Sequence, residues 1–151
     1  MLEIQLESFR DRLEEFAPLF SLHWAELAAN KDKAPLDPRY DVYFELEKRG
    51  ELIFATARES GKAVGYLIGF ISPGLHYKNC LTCIVDIFYI SPEKRGNRGG
   101  VKLFKFVEAE LKNRGVERWY AGSKFHADAS WLFEYLKFEK VEIFYSKWLG
   151  D

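Results

Sequence analysis

The stretch "SPEKRGNRGGVKLF", residues 91–104, sets two arginines and three glycines between an apolar run and an apolar-faced helix. At the start of an α-helix the first four backbone N–H groups lack partners, and the aligned peptide dipoles place about half a positive charge there. Glycine lets an anion approach the backbone, and arginine adds a charge that does not titrate away, so the turn reads as a pyrophosphate cradle. Other phosphate loops fit less well. Neither G-x-x-x-x-G-K-S/T nor a G-x-G-x-x-G followed by an acidic residue about 20 positions on is present. A polar loop entering a solvated helix is the competing reading.

Asp86 is the second residue with chemistry in reach. It interrupts the run "CLTCIVDIFYI", and a carboxylate among Ile84, Val85, Ile87 and Phe88 needs water or a partner to be tolerated. An ordinary aspartate, with a pKa of about 3.9, is a poor base unless burial raises it or a water relays the proton. Pairing with an Arg or His is the structural alternative. Cys80 and Cys83 open the same run, where positions three apart face opposite ways, so a reactive C-x-x-C is not expected. His23, His76 and His126 are scattered, which leaves no ligand spacing for a metal.

The elements around these residues follow from period and punctuation. "LEIQLE" alternates as a half-buried strand. Residues 8–29 have helical spacing, and Pro18 predicts a short helix followed by a longer one. "RYDVYFELEKRG" is a helix with Gly50 as its stop. "ELIFATARESGKAVGYLIGFIS" makes two strands around a Ser60-Gly61 turn. "LTCIVDIFYIS", apolar on both faces, reads as a central strand. A helix over 98–114, the strand "VERWYAG", a helix "DASWLFEYLKF" capped by Asp128 and a closing strand "KVEIFYSKWL" complete the chain. The order β-α-α-β-β-β-α-β-α-β builds one mixed sheet with helices on both faces.

Composition bounds the rest. The chain has 151 residues, 17% of them aromatic, and a formal charge of −1. One domain over 1–151 is expected, with a core that buries roughly 70% of the unfolded surface. The charge lacks the footprint of a dedicated nucleic-acid binder. The start "MLEIQLESF" has no basic stretch leading into an apolar one, and no apolar run is long enough to span a bilayer, so a cytoplasmic protein without a membrane partner is expected.

The segment "DIFYISPEKRGNRGGVKLFKFVEAELKNRGV" resembles the acetyl-CoA-binding core of the GNAT superfamily of N-acetyltransferases, whose loop reads Gln/Arg-x-x-Gly-x-Gly/Ala after a strand ending V-x-P-x-x-R. Arg95 matches the first position and Gly100 the last. Arg98 stands where glycine is usual, and Gly99 where Ile or Val is usual. Arg at that variable site, with "HW.E.A", "AR..GK.VGY", "LHY", "LF..L.F" and "Y.K.LG", resembles a subgroup met in phage and prophage genomes.

The resemblance implies an α/β (α+β) fold: one mixed, mostly antiparallel sheet of about six to seven strands, with a V-shaped splay between strands 4 and 5, here residues 85–90 and 117–122. It implies acetyl-CoA as cosubstrate, held by Phe88, Tyr89 and Ile90 along the strand and by Arg95, Gly96, Asn97, Arg98, Gly99 and Gly100 at the pyrophosphate. Asp86 falls where several members, the diamine acetyltransferases among them, carry a general-base Glu. The usual acid, a Tyr in "LYEKLGF", corresponds to Phe133 in "LFEYLKF", which leaves Tyr135, Tyr145 or solvent. Acceptor candidates are His23, Trp24, His76 and Tyr77. The implied function is acetyl transfer to a primary amine of a small molecule or to a protein lysine, with a non-catalytic acyl-CoA-binding or protein-interaction module as the alternative. A homodimer is left open.

Overall fold

The computed structural model describes residues 1–151, apart from the side chain of Asn97. Its elements are β1 (Leu2–Leu6), α1 (Phe9–Leu27), α2 (Tyr40–Lys48), β2 (Leu52–Glu59), β3 (Lys62–Gly74), β4 (Tyr77–Ile90), a 3-10 turn (Pro92–Asn97), α3 (Gly99–Asn113), β5 (Arg118–Tyr120) and α4 (Ser130–Tyr135). The strands form one sheet in the order β1-β2-β3-β4-β5. All pairings are antiparallel except β4 with β5, which is parallel.

Strand alternation sorts the side chains into two layers. Ile53, Ala55, Leu67, Cys83 and Ile90 meet Leu103, Phe104 and Val107 of α3 and Leu132 and Phe133 of α4. On the other face Phe54, Tyr66, Ile68 and Tyr89 meet Phe9, Phe16 and Phe20 of α1, with Tyr43 and Phe44 of α2 packed alongside. Helices therefore cover both faces, as the element order predicts. The hairpin is formed as read: Glu59 pairs with Lys62, and Ser60 and Gly61 both take positive φ, +51° and +79°. Two consecutive left-handed residues match the twist of a tight hairpin, which explains the glycine.

Several expectations are corrected. The sheet has five strands rather than six or seven, because residues 140–149 form none; Val141, Ile143, Phe144 and Tyr145 stand exposed. Alternation makes a strand only where an edge supplies hydrogen bonds, and β5, three residues long, offers little edge. Residues 8–29 hold one helix, with Pro18 inside it. Proline removes one hydrogen bond there, while Phe9, Phe16 and Phe20 remain buried on one side and hold the helix to the sheet. Most of "SPGLHYKN" belongs to a β3–β4 hairpin rather than to a loop. β4 is interior, as read, with β3 paired along most of its length and β5 over three residues. Finally, α4 starts two residues after Asp128, with Ala129 rather than Asp128 at its N-cap and no side-chain capping bond; Asp128 instead accepts from the Ser130 amide at 2.9 Å and hydroxyl at 3.0 Å in the turn before the helix.

Candidate active site

Asp86 is presented by a fault in the sheet. Ile68 pairs with Ile87 and Gly69 with Val85, so Asp86 is the extra residue of a β-bulge and has no partner on β3. A bulge breaks alternation and re-aims a side chain. Here both Asp86 and Ile87 turn to the face covered by α1 and α2, where Ile87 packs and Asp86 meets Tyr43. The Tyr43 hydroxyl donates to Asp86 Oδ2 at 2.6 Å, and the Tyr43 ring is fixed by stacking on Phe9 at 5.1 Å and by contact with Phe70 at 5.7 Å. Asp86 is exposed to solvent as a residue, yet protein atoms on the α2 side crowd its carboxylate. That desolvation raises its pKa above the ordinary value, against the Tyr43 hydrogen bond, which lowers it. Burial, and then the Asp86 bond, push the Tyr43 hydroxyl well above the usual phenol range.

Tyr43 is a residue the sequence does not single out. It sits at helical spacing beside Tyr40 and Phe44 and so looks like core.

Two residues before Asp86 the sheet loses a neighbour. The β4–β5 ladder consists of Thr82–Arg118, Cys83–Trp119 and Ile84–Tyr120 and goes no further. Along residues 85–90 the antiparallel ladder to β3 uses the hydrogen bonds of alternate residues only, and the intervening amides and carbonyls point to the flank that β5 has left.

The loop that follows ends in an uncapped helix. Arg98, at the N-cap of α3, takes a left-handed φ of +57° and makes no side-chain capping bond. The first N–H to find a helical partner is that of Lys102, on the Arg98 carbonyl, so the amides of residues 99–101 face outward as donors. The glycines differ in role. A Cβ on Gly99 would lie 2.8 Å from Leu2 Cδ1, so β1 requires that glycine for packing. A Cβ on Gly100 would meet Leu132 of α4 at ordinary distance, and one on Gly96 would meet nothing. The side chain of Asn97 lies outside the described residues. The Arg95 guanidinium is engaged inside the protein: it forms a two-pronged pair with Glu26 at 2.7 and 2.8 Å, donates through Nε to the Ile90 carbonyl at 2.8 Å and lies over the Tyr89 ring. It braces the loop against the end of α1.

The remaining candidates are dispersed. His23 is buried in the α1-side core, with Nδ1 2.6 Å from the Tyr66 hydroxyl and its ring stacked on Tyr89. Desolvation lowers its pKa to about 4. Trp24 is half-buried, and His76 and Tyr77 are exposed at the β3–β4 turn. Tyr135 is half-exposed beside Lys105 of α3, on the opposite face of the sheet from Asp86, while Phe133 is packed against Phe88 and Phe104. Tyr145 is exposed in the C-terminal segment. Cys83 is buried and its thiol is pushed up to about 12 by desolvation, the opposite of a reactive thiol.

The buried His23 yields a pH prediction. The unfolded chain binds its proton near pH 6.5 and the folded chain only near pH 4, so stability falls as the pH drops through that window. The slope contributed is about 1.4 kcal/mol per pH unit, roughly 3 kcal/mol in all. Urea midpoints measured between pH 7 and pH 4 should show this loss, and His23→Gln should flatten it.

A mixed sheet with helices on both faces, a bulged carboxylate and an uncapped helix after β4 make this an open-sheet α/β protein with free backbone donors beside a carboxylate. Residues 14–133 match the family model described as Acetyltransferase (GNAT) family, and the chain belongs to that family. Similar solved structures include a ribosomal-protein-alanine N-acetyltransferase from Brucella melitensis biovar Abortus 2308, with TM-score 0.75, 20% identity, and coverage of 99% of this chain and 100% of that one. Another is glucosamine-6-phosphate N-acetyltransferase from Arabidopsis thaliana, with TM-score 0.74, 16% identity and coverage of 99% of both chains. A third is a predicted acetyltransferase with acetyl-CoA from Clostridium acetobutylicum, with TM-score 0.74, 14% identity, and coverage of 99% of this chain and 97% of that one. A sequence search of curated proteins finds no match.

Proposed function

We propose that the chain transfers an acetyl group from acetyl-CoA directly to a primary amine, with Asp86 as the base. The observation that carries this reading is the bulge: it turns a desolvated carboxylate out of the sheet two residues beyond the last β4–β5 pair. The fit of the cosubstrate rests on two sets of unused donors, the amides at the start of α3 and those on the free flank of residues 85–90. The first set, the amides of residues 99–101, would hold the pyrophosphate together with the loop from Gly96 to Arg98 that leads into them. The second, near Phe88, Tyr89 and Ile90, would line the pantetheine arm in a splay between β4 and β5 and donate to the thioester oxygen as charge develops there. When bound, acetyl-CoA supplies a carbonyl activated by a thiolate leaving group.

The protein's own part is then proton handling and position. Asp86 takes the proton that the attacking nitrogen must lose, directly or through one water, and Tyr43 keeps the carboxylate aimed. Tyr135, on the far face, is poorly placed to protonate the thiolate, so that proton comes from solvent. Arg95 contributes through its brace on Glu26 rather than by touching phosphate. Arg98 in the loop fits the subgroup met in phage and prophage genomes, and we place the protein in the cytoplasm; no helix among the described residues is long and apolar enough to cross a membrane.

A non-catalytic acyl-CoA-binding module of the same fold is the second reading, favoured by Phe133, buried where the resemblance calls for a tyrosine. Calorimetry with acetyl-CoA and CoA, followed by thiol release across a panel of amines, tests both. We expect micromolar binding and amine-dependent thiol release. Binding without release for any amine would establish the second reading instead.

A further inference from the structure

On the face covered by α1 and α2, strand register sets three apolar side chains in a row across the sheet. Phe70 pairs with Ile84 and Ile84 pairs with Tyr120, and paired residues stand on the same face. The helices cover only part of this row. Tyr43 rests on Phe70, whereas Ile84 is 54% and Tyr120 36% exposed. Ile84 and Tyr120, paired and both exposed, form one contiguous shelf beside Asp86 rather than two stray exposed residues.

The ends of the shelf carry opposite charges. Asp86 lies two residues beyond Ile84 on β4. Arg118 lies two residues before Tyr120 on β5 and pairs with Thr82, so its side chain rises on the same face. Its guanidinium lies 4.9 Å above the exposed Tyr77 ring, and among the described residues no carboxylate pairs with it. At about 3.3 Å per residue, four residues of strand separate the two charges by roughly 13 Å at the backbone. Arginine's reach toward the shelf shortens that span, and its planar fork suits a carboxylate.

We infer that the acceptor is a dipolar amine: a primary amine at Asp86, an apolar body over Ile84 and Tyr120, and a carboxylate on Arg118. This rests on the acetyltransferase reading and narrows its substrate class. Diamines and polyamines would bring a second positive charge against Arg118, which disfavours them. Amines without an anionic end would forgo the charge-assisted contact.

The test uses ω-aminooctanoate, its primary amide and diaminooctane, three amines of one length that differ only at the far end. With saturating acetyl-CoA, thiol release should show a kcat/KM at least about tenfold higher for the carboxylate than for the other two. Arg118→Gln should raise the KM for the carboxylate about tenfold and leave the amide unchanged, with kcat little altered. Equal use of the three, or an equal loss for all of them in Arg118→Gln, overturns the inference while the acetyltransferase reading stands. Calorimetric titration of ω-aminooctanoate into the protein with CoA present, compared between wild type and Arg118→Gln, separates the opposite case. Binding that depends on Arg118 without thiol release would keep the shelf assignment and sink the acetyltransferase reading.

Discussion

Asp86→Asn should lower kcat by about 10²-fold or more while leaving acetyl-CoA affinity unchanged, the size expected when a positioned general base is lost. The substitution is nearly isosteric, and an amide oxygen still accepts from Tyr43, so the bulge and its packing persist. Stability should move the other way from activity. An aspartate whose folded pKa is raised above its unfolded value costs stability at every pH above that folded value, so replacing it with a neutral amide should leave the melting temperature at pH 7 unchanged or higher. Loss of folding together with activity would identify a structural carboxylate instead.

The acid limb of the pH profile supplies an independent readout. In the wild type kcat/KM should fall as pH drops through the raised Asp86 pKa, a limb lying above the ordinary value of 3.8. Tyr43 donates to the charged form and so lowers that pKa. Tyr43→Phe removes the donation, and the limb should shift to higher pH. A limb that does not move would detach Tyr43 from the proton-transfer step even if activity falls.

What could be read ahead of the structure was what depends on local sequence. The glycine-arginine turn, the helix after it and the Ser60-Gly61 hairpin each follow from a few adjacent residues, and each is present. Asp86 announces itself as a charge in an apolar run. Its environment does not, because the bulge exists only in the register between β3 and β4, and register is a property of two strands rather than of one. Tyr43 is hidden for a related reason: a tyrosine at core spacing on α2 and an aspartate 43 residues away become a pair only once the helix has docked. The segment 140–149 shows the reverse error. Its alternation is that of a strand, yet β5, the strand that precedes it in the chain, offers only three residues of edge, and the segment pairs with no strand. Arg95, the residue that best fits the loop pattern, is occupied by Glu26, a partner 69 residues distant that no spacing rule could nominate.

A second long-range charge cluster, missed by the same logic, governs stability. Arg58 on β2 is 8% exposed and holds Glu7, after β1, through Nε at 2.8 Å and Glu15, on α1, through a guanidinium nitrogen at 2.6 Å; it also donates to the Gly61 carbonyl. Burial works to raise the pKa of Glu7, but hydrogen bonds from Arg58 and Thr56 overcome it and hold the carboxyl below its usual range. Arg58→Ala strands that buried carboxylate. Breaking a buried pair from one side typically costs about 3–5 kcal/mol. Because Arg12 still reaches Glu7 at 3.0 Å, the lower end, about 3 kcal/mol, is the value to look for in urea unfolding at pH 7. Removing both charges with apolar residues, as in Arg58→Met with Glu7→Leu, should restore much of the loss, since the penalty lies in the unpaired ion rather than in the missing bond. The stabilising share of Glu7 is present above its unfolded pKa and fades as pH falls through the depressed folded one. The deficit of Arg58→Ala relative to wild type should therefore shrink in acid, and a deficit that stays constant with pH would assign the loss to packing of the arginine stem on Phe16 instead.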